Sequence, residues 1–113
     1  MITSIAHVNL TVPAGTFSQA EAFYANTLGM KRVPVPMDQK DILAWFDITP
    51  GGQQIHIAFD MPNDAKAMRH PCFKLESPEA LEKLQRKVWR HFEMRTESEG
   101  APLEVDRPGE ADS

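Results

Sequence analysis

The feature that most constrains this chain is a strand followed by a helix that occurs twice, first from His7 and again from His70, 63 positions later. In the first copy, apolar and polar residues alternate over Ile5–Val12, which is the period of a strand with one face against a core. Apolar residues at helical spacing follow and end at Gly29, a typical helix cap. The sequence therefore predicts two related units.

Three further strands complete the first unit. Lys31–Pro36 contains two prolines, so we expect a short strand at the edge of the sheet. Ile42–Ile48 and Gln53–Phe59 are rich in apolar residues and are separated by a Pro-Gly-Gly turn, which predicts a hairpin. Residues 1–60 therefore predict a complete βαβββ module, and the fold class is α+β.

The second unit is shorter than the first. After a polar linker, Met61–Met68, a strand is predicted over His70–Glu76. Ser77 and Pro78 then mark the start of a helix. Its apolar stripe, with Trp89 beside it, consists of Leu81, Leu84, Val88 and Phe92.

The 113 residues suit a single domain. We predict a complete module at 1–60, the start of an incomplete second module at 68–97 and a weakly ordered tail at 98–113. The net charge of −4, with scattered Lys and Arg, gives no reason to expect nucleic acid or a membrane as a partner. A single cysteine and an N-terminus without signal-peptide character favour a reducing, cytoplasmic location.

Three of the four histidines occupy equivalent strand positions. His7, His56 and His70 each lie opposite the apolar residues of their predicted strand, so the three imidazoles are expected to meet on one concave face of the sheet. Three neutral imidazoles can bind a divalent metal ion such as zinc, iron or nickel and leave positions open for water or substrate. The spacing is equally compatible with structural or exposed histidines, since no short metal-binding motif is present.

Other candidates carry weaker signals. Trp45 has the strand parity either to line the cavity or to join the core, and Asn9 or Lys74 could contact a ligand. Cys72 is expected to be a small buried residue. His91, in the second helix, is expected to face solvent.

Four segments of the chain resemble the vicinal-oxygen-chelate superfamily, which includes glyoxalases, bleomycin-resistance proteins and dioxygenases. They are IAHVNLTV, AEAFYANTLGM, LAWFDITPGGQQIHIAFD and RHPCFKLESPEAL. In this superfamily, paired βαβββ modules curl around a divalent metal. The resemblance implies that His7 and His70 are the ligands that open the two modules. His56 falls where glyoxalase I enzymes carry a ligand, usually glutamate.

The resemblance also implies a function. Enzymes of this kind hold the oxygens of a small substrate on the metal and act as lyases, isomerases or oxygenases. A glutamate ligand expected on the final strand of module two has no counterpart before Ser113. Either the sequence is truncated, or a second copy supplies the missing strands in a homodimer, or the protein is a degenerate relative. The alternatives to an enzyme are a metal-free protein that sequesters a small molecule, as bleomycin-resistance proteins do, and a dimerising remnant.

Overall fold

The computed structural model describes residues 1–36, 39, 42–59 and 68–109, and its centre is a four-stranded sheet. The strands lie in the order β1-β4-β3-β2, with β1 parallel to β4 and the other pairs antiparallel. This arrangement confirms the predicted βαβββ module and the edge position of its second strand. The strands are β1 (His7–Val12), β2 (Lys31–Val33), β3 (Leu43–Asp47) and β4 (Gln54–Phe59).

The helix between β1 and β2 has two parts. α1 spans Phe17–Ala20, and a π-helical segment continues it over Glu21–Thr27. Gly29 follows with a φ of +78°, a left-handed conformation that glycine adopts without a steric penalty. The predicted helix and its glycine cap are therefore confirmed. The π-helical geometry was not predicted, because apolar residues three and four positions apart do not distinguish it from an α-helix.

The core lies between this helix and one face of the sheet. Phe46, Ile55 and Ile57 are fully buried there, and the Tyr24 ring packs against them with its centroid 5.6 Å from that of Phe46. Burial raises the pKa of Tyr24, so its phenol remains protonated at neutral pH. Because successive strand residues point to opposite faces, the polar residues that alternate with Ile55 and Ile57 on β4 are placed on the other side of the sheet.

Within residues 68–109, the second unit contributes a helix and no strand. α2 spans Pro78–Glu93, and the Ser77 hydroxyl accepts a hydrogen bond from the Ala80 amide at 3.0 Å, as the predicted cap requires. No helix of the described residues is long and apolar enough to cross a membrane.

The strand predicted at 70–76 is not formed. Side-chain burial still alternates from residue to residue along this segment, but no described backbone group hydrogen-bonds to it. A strand requires a paired neighbour, and alternation in the sequence cannot supply one. Apart from Met68, the predicted linker lies outside the described residues.

His91 is buried, and the prediction that it faces solvent is wrong. The carbonyl of Glu99 lies 2.7 Å from Nε2 and can only accept, so Nε2 donates; in the neutral ring Nδ1 then accepts from the Thr27 hydroxyl, also at 2.7 Å. The imidazole thereby ties α2 to the first helix and to the chain beyond α2. Helical spacing places His91 beside Leu84, at the edge of the apolar stripe, but it does not show which residues the imidazole meets.

We expect His91→Ala to lower the free energy of unfolding by about 2 kcal/mol, since both hydrogen bonds are lost and the Thr27 hydroxyl is left buried. Urea denaturation followed by circular dichroism measures this change. Arg90→Ala, at an exposed neighbouring position, is the control and should change stability by less than about 0.5 kcal/mol. Equal stability of the two variants would contradict a structural role for His91.

Candidate functional site

The face of the sheet opposite the core gathers polar and aromatic side chains from three adjacent strands. Strand register arranges them in two rows, each with one residue from β1, one from β4 and one from β3. We call this set the polar face. Its rows are His7, Gln54 and Asp47, and then Asn9, His56 and Trp45.

His56 is stacked against aromatic rings from both neighbouring strands. The His7 ring lies 4.0 Å from it, centroid to centroid, with the two planes 10° apart, and the Trp45 ring lies 4.3 Å from it with the planes 9° apart. His7 is exposed, whereas His56 is 9% exposed. The row of rings therefore has an open end at His7 and fixes the plane of His56.

A chain of hydrogen bonds runs from His56 to the β3–β4 turn. His56 Nε2 lies 2.8 Å from Gln54 Oε1, and Gln54 Nε2 lies 2.9 Å from Asp47 Oδ1. The amide of Gly51 donates to Asp47 Oδ2 at 3.3 Å. Both oxygens of this buried carboxylate are therefore engaged, and the hairpin holds His56 in place.

Burial lowers the pKa of His56 below the ordinary histidine value of 6.5, and the neighbouring His7 lowers it further through charge repulsion. His56 is consequently neutral at neutral pH. A neutral imidazole keeps a lone pair on one ring nitrogen, which is the form that binds a metal ion or accepts a proton.

Trp45 carries an indole N–H to which the described residues offer no acceptor. Among the described residues, its Nε1 is the one buried side-chain nitrogen or oxygen with no hydrogen-bond partner. An unsatisfied buried donor costs about 1–3 kcal/mol, so an acceptor at this position would stabilise the protein. The sequence did not decide whether Trp45 lines the cavity or joins the core. The structure places it on the polar face, half-buried.

Several solved structures share the fold of this chain, and glyoxalase family proteins are among them. A glyoxalase family protein from Bacillus anthracis is 29% identical, with a TM-score of 0.65 over 80% of this chain and 70% of that one. The chain therefore has the fold of these glyoxalase family proteins. This confirms the resemblance found in the sequence. No protein-family model matches the chain, and no curated protein matches it.

Two more distant structures agree on the fold. A glyoxalase family protein from Enterococcus faecalis is 19% identical, with a TM-score of 0.52 over 74% of this chain and 71% of that one. A glyoxalase/bleomycin resistance protein/dioxygenase from Alicyclobacillus acidocaldarius is 17% identical, with a TM-score of 0.50 over 74% of this chain and 61% of that one. The shared fold does not choose among these activities, because one fold hosts many sites.

The polar face offers two adjacent imidazoles to the metal that the superfamily resemblance implies. In the described part of the chain, no three His, Cys, Asp or Glu side chains are placed to hold a metal ion. An imidazole lone pair lies in the ring plane, so the parallel rings of His7 and His56 cannot both point at one ion until one of them turns. Exposed His7 can turn, whereas His56 is held. The pair thus fits two positions of a four-coordinate ion, and further donors must come from elsewhere.

The other predicted site residues lie on the segment 70–76. His70 is exposed, and its Nδ1 lies 2.8 Å from the carbonyl oxygen of Met68. Lys74 is exposed too. Cys72 is also exposed, so the prediction of a buried filler is wrong; the segment packs against the core through Phe73 instead.

Sequence reasoning missed Gln54 and Asp47 as parts of the site. The signal was present in the strand parity, because Gln54 shares a face with His56 and Asp47 shares one with Trp45. Parity does not give the register between strands, and it is register that places Gln54 directly opposite Asp47.

We expect His7→Ala to raise the pKa of His56, because it removes a neighbouring charge and the ring that covers one face of the His56 imidazole. NMR titration of the His56 ring protons measures this pKa. Asn9→Ala, an uncharged change on the same strand, is the control and should have a smaller effect.

The same shift has a consequence for stability. Since the folded pKa of His56 lies below the unfolded value of 6.5, the folded state loses stability as pH falls from about 6.5 to the folded pKa. This loss should be smaller in His7→Ala. An unchanged His56 pKa in that variant would refute the coupling between the two rings.

Proposed function

We propose that this protein binds a small oxygen-bearing molecule through a divalent metal on the polar face, with His7 and His56 as two of the metal ligands. The observation that carries the proposal is a neutral His56, held in a fixed orientation directly beside an exposed second imidazole. Imidazole ligands suit zinc, iron or nickel. Such an ion, when bound, stabilises an oxyanion formed from the substrate, as glyoxalase- or dioxygenase-like lyases, isomerases and oxygenases require.

The residues of the polar face have separate tasks in this proposal. His56 remains fixed, and His7 turns at the open end of the row so that one of its ring nitrogens reaches the metal ion. Asn9 is exposed beside them and can hydrogen-bond a substrate oxygen. Asp47 does not serve as a general base, because both of its oxygens already accept hydrogen bonds. A reaction that moves a proton therefore needs a base from outside this face.

A second copy of the chain is proposed to complete the site in a homodimer. The segment 70–76 has the alternating burial of a strand but no described partner strand. An unpaired segment of this kind favours association with another chain. A second copy could pair with it and supply further metal ligands, His70 among the candidates. It would also cover the apolar stripe of α2, whose half-buried residues are Leu81, Leu84, Val88, Trp89 and Phe92.

A metal-free binding protein is the second candidate, and the Trp45 ring favours it. Because the three stacked rings cover one another's faces, a planar molecule can pack on the outer face of His7 or lie edge-to-face across the row. The unsatisfied indole N–H offers such a molecule a hydrogen bond. A remnant without any ligand is the third candidate, and it predicts that neither metals nor planar compounds bind.

We expect the wild-type protein to take up one zinc, iron(II) or nickel ion per site, measured by native mass spectrometry of the intact assembly. His7→Ala and His56→Ala should each abolish this uptake, because each removes one of two adjacent ligands. Gln53→Ala, at an exposed position next to β4, is the matched control and should bind metal normally. His70→Ala tests whether that histidine is a further ligand.

Failure of the wild type to bind any of the three metals would reject the metal-centred function. Quenching of Trp45 fluorescence by planar aromatic compounds, in a Trp89→Phe background and in the presence of EDTA, would then support the binding protein. Absence of both signals would leave the remnant.

We expect a dimer in sedimentation velocity, weakened about tenfold by Lys74→Pro if 70–76 adds to a sheet of the second copy. Proline removes one backbone donor and with it one intermolecular hydrogen bond. Lys74→Ala removes the same side chain, retains the amide and should dimerise like the wild type. A monomeric wild type would reject the proposed homodimer.

A further inference from the structure

We infer that Gln54 and Asp47 are positioning residues that fix the tautomer of His56, so that Nδ1, and not Nε2, is the nitrogen offered to a ligand. The role of that nitrogen rests on the proposed function. The tautomer itself follows from the hydrogen bonds within the protein and can be measured without any ligand.

The direction of the hydrogen-bond chain is set at Asp47. A carboxylate only accepts hydrogen bonds, and Asp47 accepts from the Gly51 amide through Oδ2. Its Oδ1 lies 2.9 Å from the side-chain amide of Gln54. The group of Gln54 that faces Asp47 must therefore be the NH2, since a carbonyl there would place two acceptors in contact.

The orientation of Gln54 then decides the state of His56. With its NH2 on Asp47, Gln54 turns its carbonyl towards His56, where Oε1 lies 2.8 Å from Nε2. A carbonyl only accepts, so Nε2 carries the proton. A neutral imidazole has a single N–H, and the lone pair is therefore on Nδ1. No described residue forms a hydrogen bond to that nitrogen.

The stacked rings prevent the alternative in which the two nitrogens of His56 exchange places. A flip of the ring has to pass through the faces that His7 and Trp45 cover at 4.0 and 4.3 Å. A flip would also take Nε2–H away from its acceptor. A histidine that donates its second nitrogen to a fixed acceptor is the usual support of a metal ligand, and it holds both tautomer and ring orientation.

The experiment is long-range proton–nitrogen NMR correlation on the metal-free protein, which distinguishes protonated from unprotonated ring nitrogens. In the wild type we expect the proton of His56 on Nε2. Gln54→Lys places a group that only donates between Asp47 and His56, so Nε2 must accept and the proton must move to Nδ1. Gln53→Lys adds the same charge one residue away at an exposed position and should keep the wild-type tautomer.

A double variant tests the direction of the chain independently. Asp47→Asn combined with Gln54→Glu exchanges the amide and the carboxylate. The new amide donates to the new carboxylate, which still accepts from Nε2–H, so this variant should keep the wild-type tautomer. If Gln54→Lys does not fold, this variant decides the question.

Zinc titration separates the inference from the proposed function. We expect Gln54→Lys to bind zinc about 10- to 100-fold more weakly than Gln53→Lys, because the nitrogen that faces the ligand carries a proton. A wild-type His56 protonated on Nδ1, an unchanged tautomer in Gln54→Lys, or loss of the tautomer in the double variant would overturn the inference. If the wild type binds zinc, equal zinc binding by the two lysine variants would overturn it as well. A correct tautomer in a wild type that binds no zinc supports the positioning of Nδ1 and rejects the metal function alone.

Discussion

The structure depends on the register of β4 between β1 and β3. Its residues alternate between two tasks, with Ile55 and Ile57 in the core and Gln54 and His56 on the polar face. A slip of one residue would place the imidazole in the core and an isoleucine on the site. Fold and site are therefore linked, because the burial of two isoleucines excludes a slip of one residue, which would also dismantle the stacked rings.

Features that depend on short-range patterns in the sequence were predicted correctly. Alternation gave the strands and placed His7 and His56 on one face, and Ser77 and Pro78 gave the start of α2. The prediction from sequence failed where a contact joins distant parts of the chain. The burial of His91 depends on Thr27, 64 positions away, and the link from His56 to Asp47 depends on the pairing of two strands. The segment 70–76 kept its alternating burial without becoming a strand, because pairing requires a neighbour that periodicity cannot provide.

The fold alone does not determine the chemistry of the site. The residues of the polar face restrict the kinds of reaction that the site can support. The Asp47 carboxylate near the paired imidazoles is occupied by structural hydrogen bonds. Chemistry that relies on polarising an oxygen suits this face better than chemistry that relies on a resident carboxylate base.

The bond from His91 to the chain beyond α2 ends on a main-chain carbonyl, that of Glu99. Every amino acid carries such a carbonyl, so residue 99 can drift through evolution without loosening the connection. Positions 27 and 91 have no such freedom, because one must supply a hydroxyl and the other a ring with two nitrogens. In an alignment of relatives, we would expect 27 and 91 to change together, while position 99 varies independently of both.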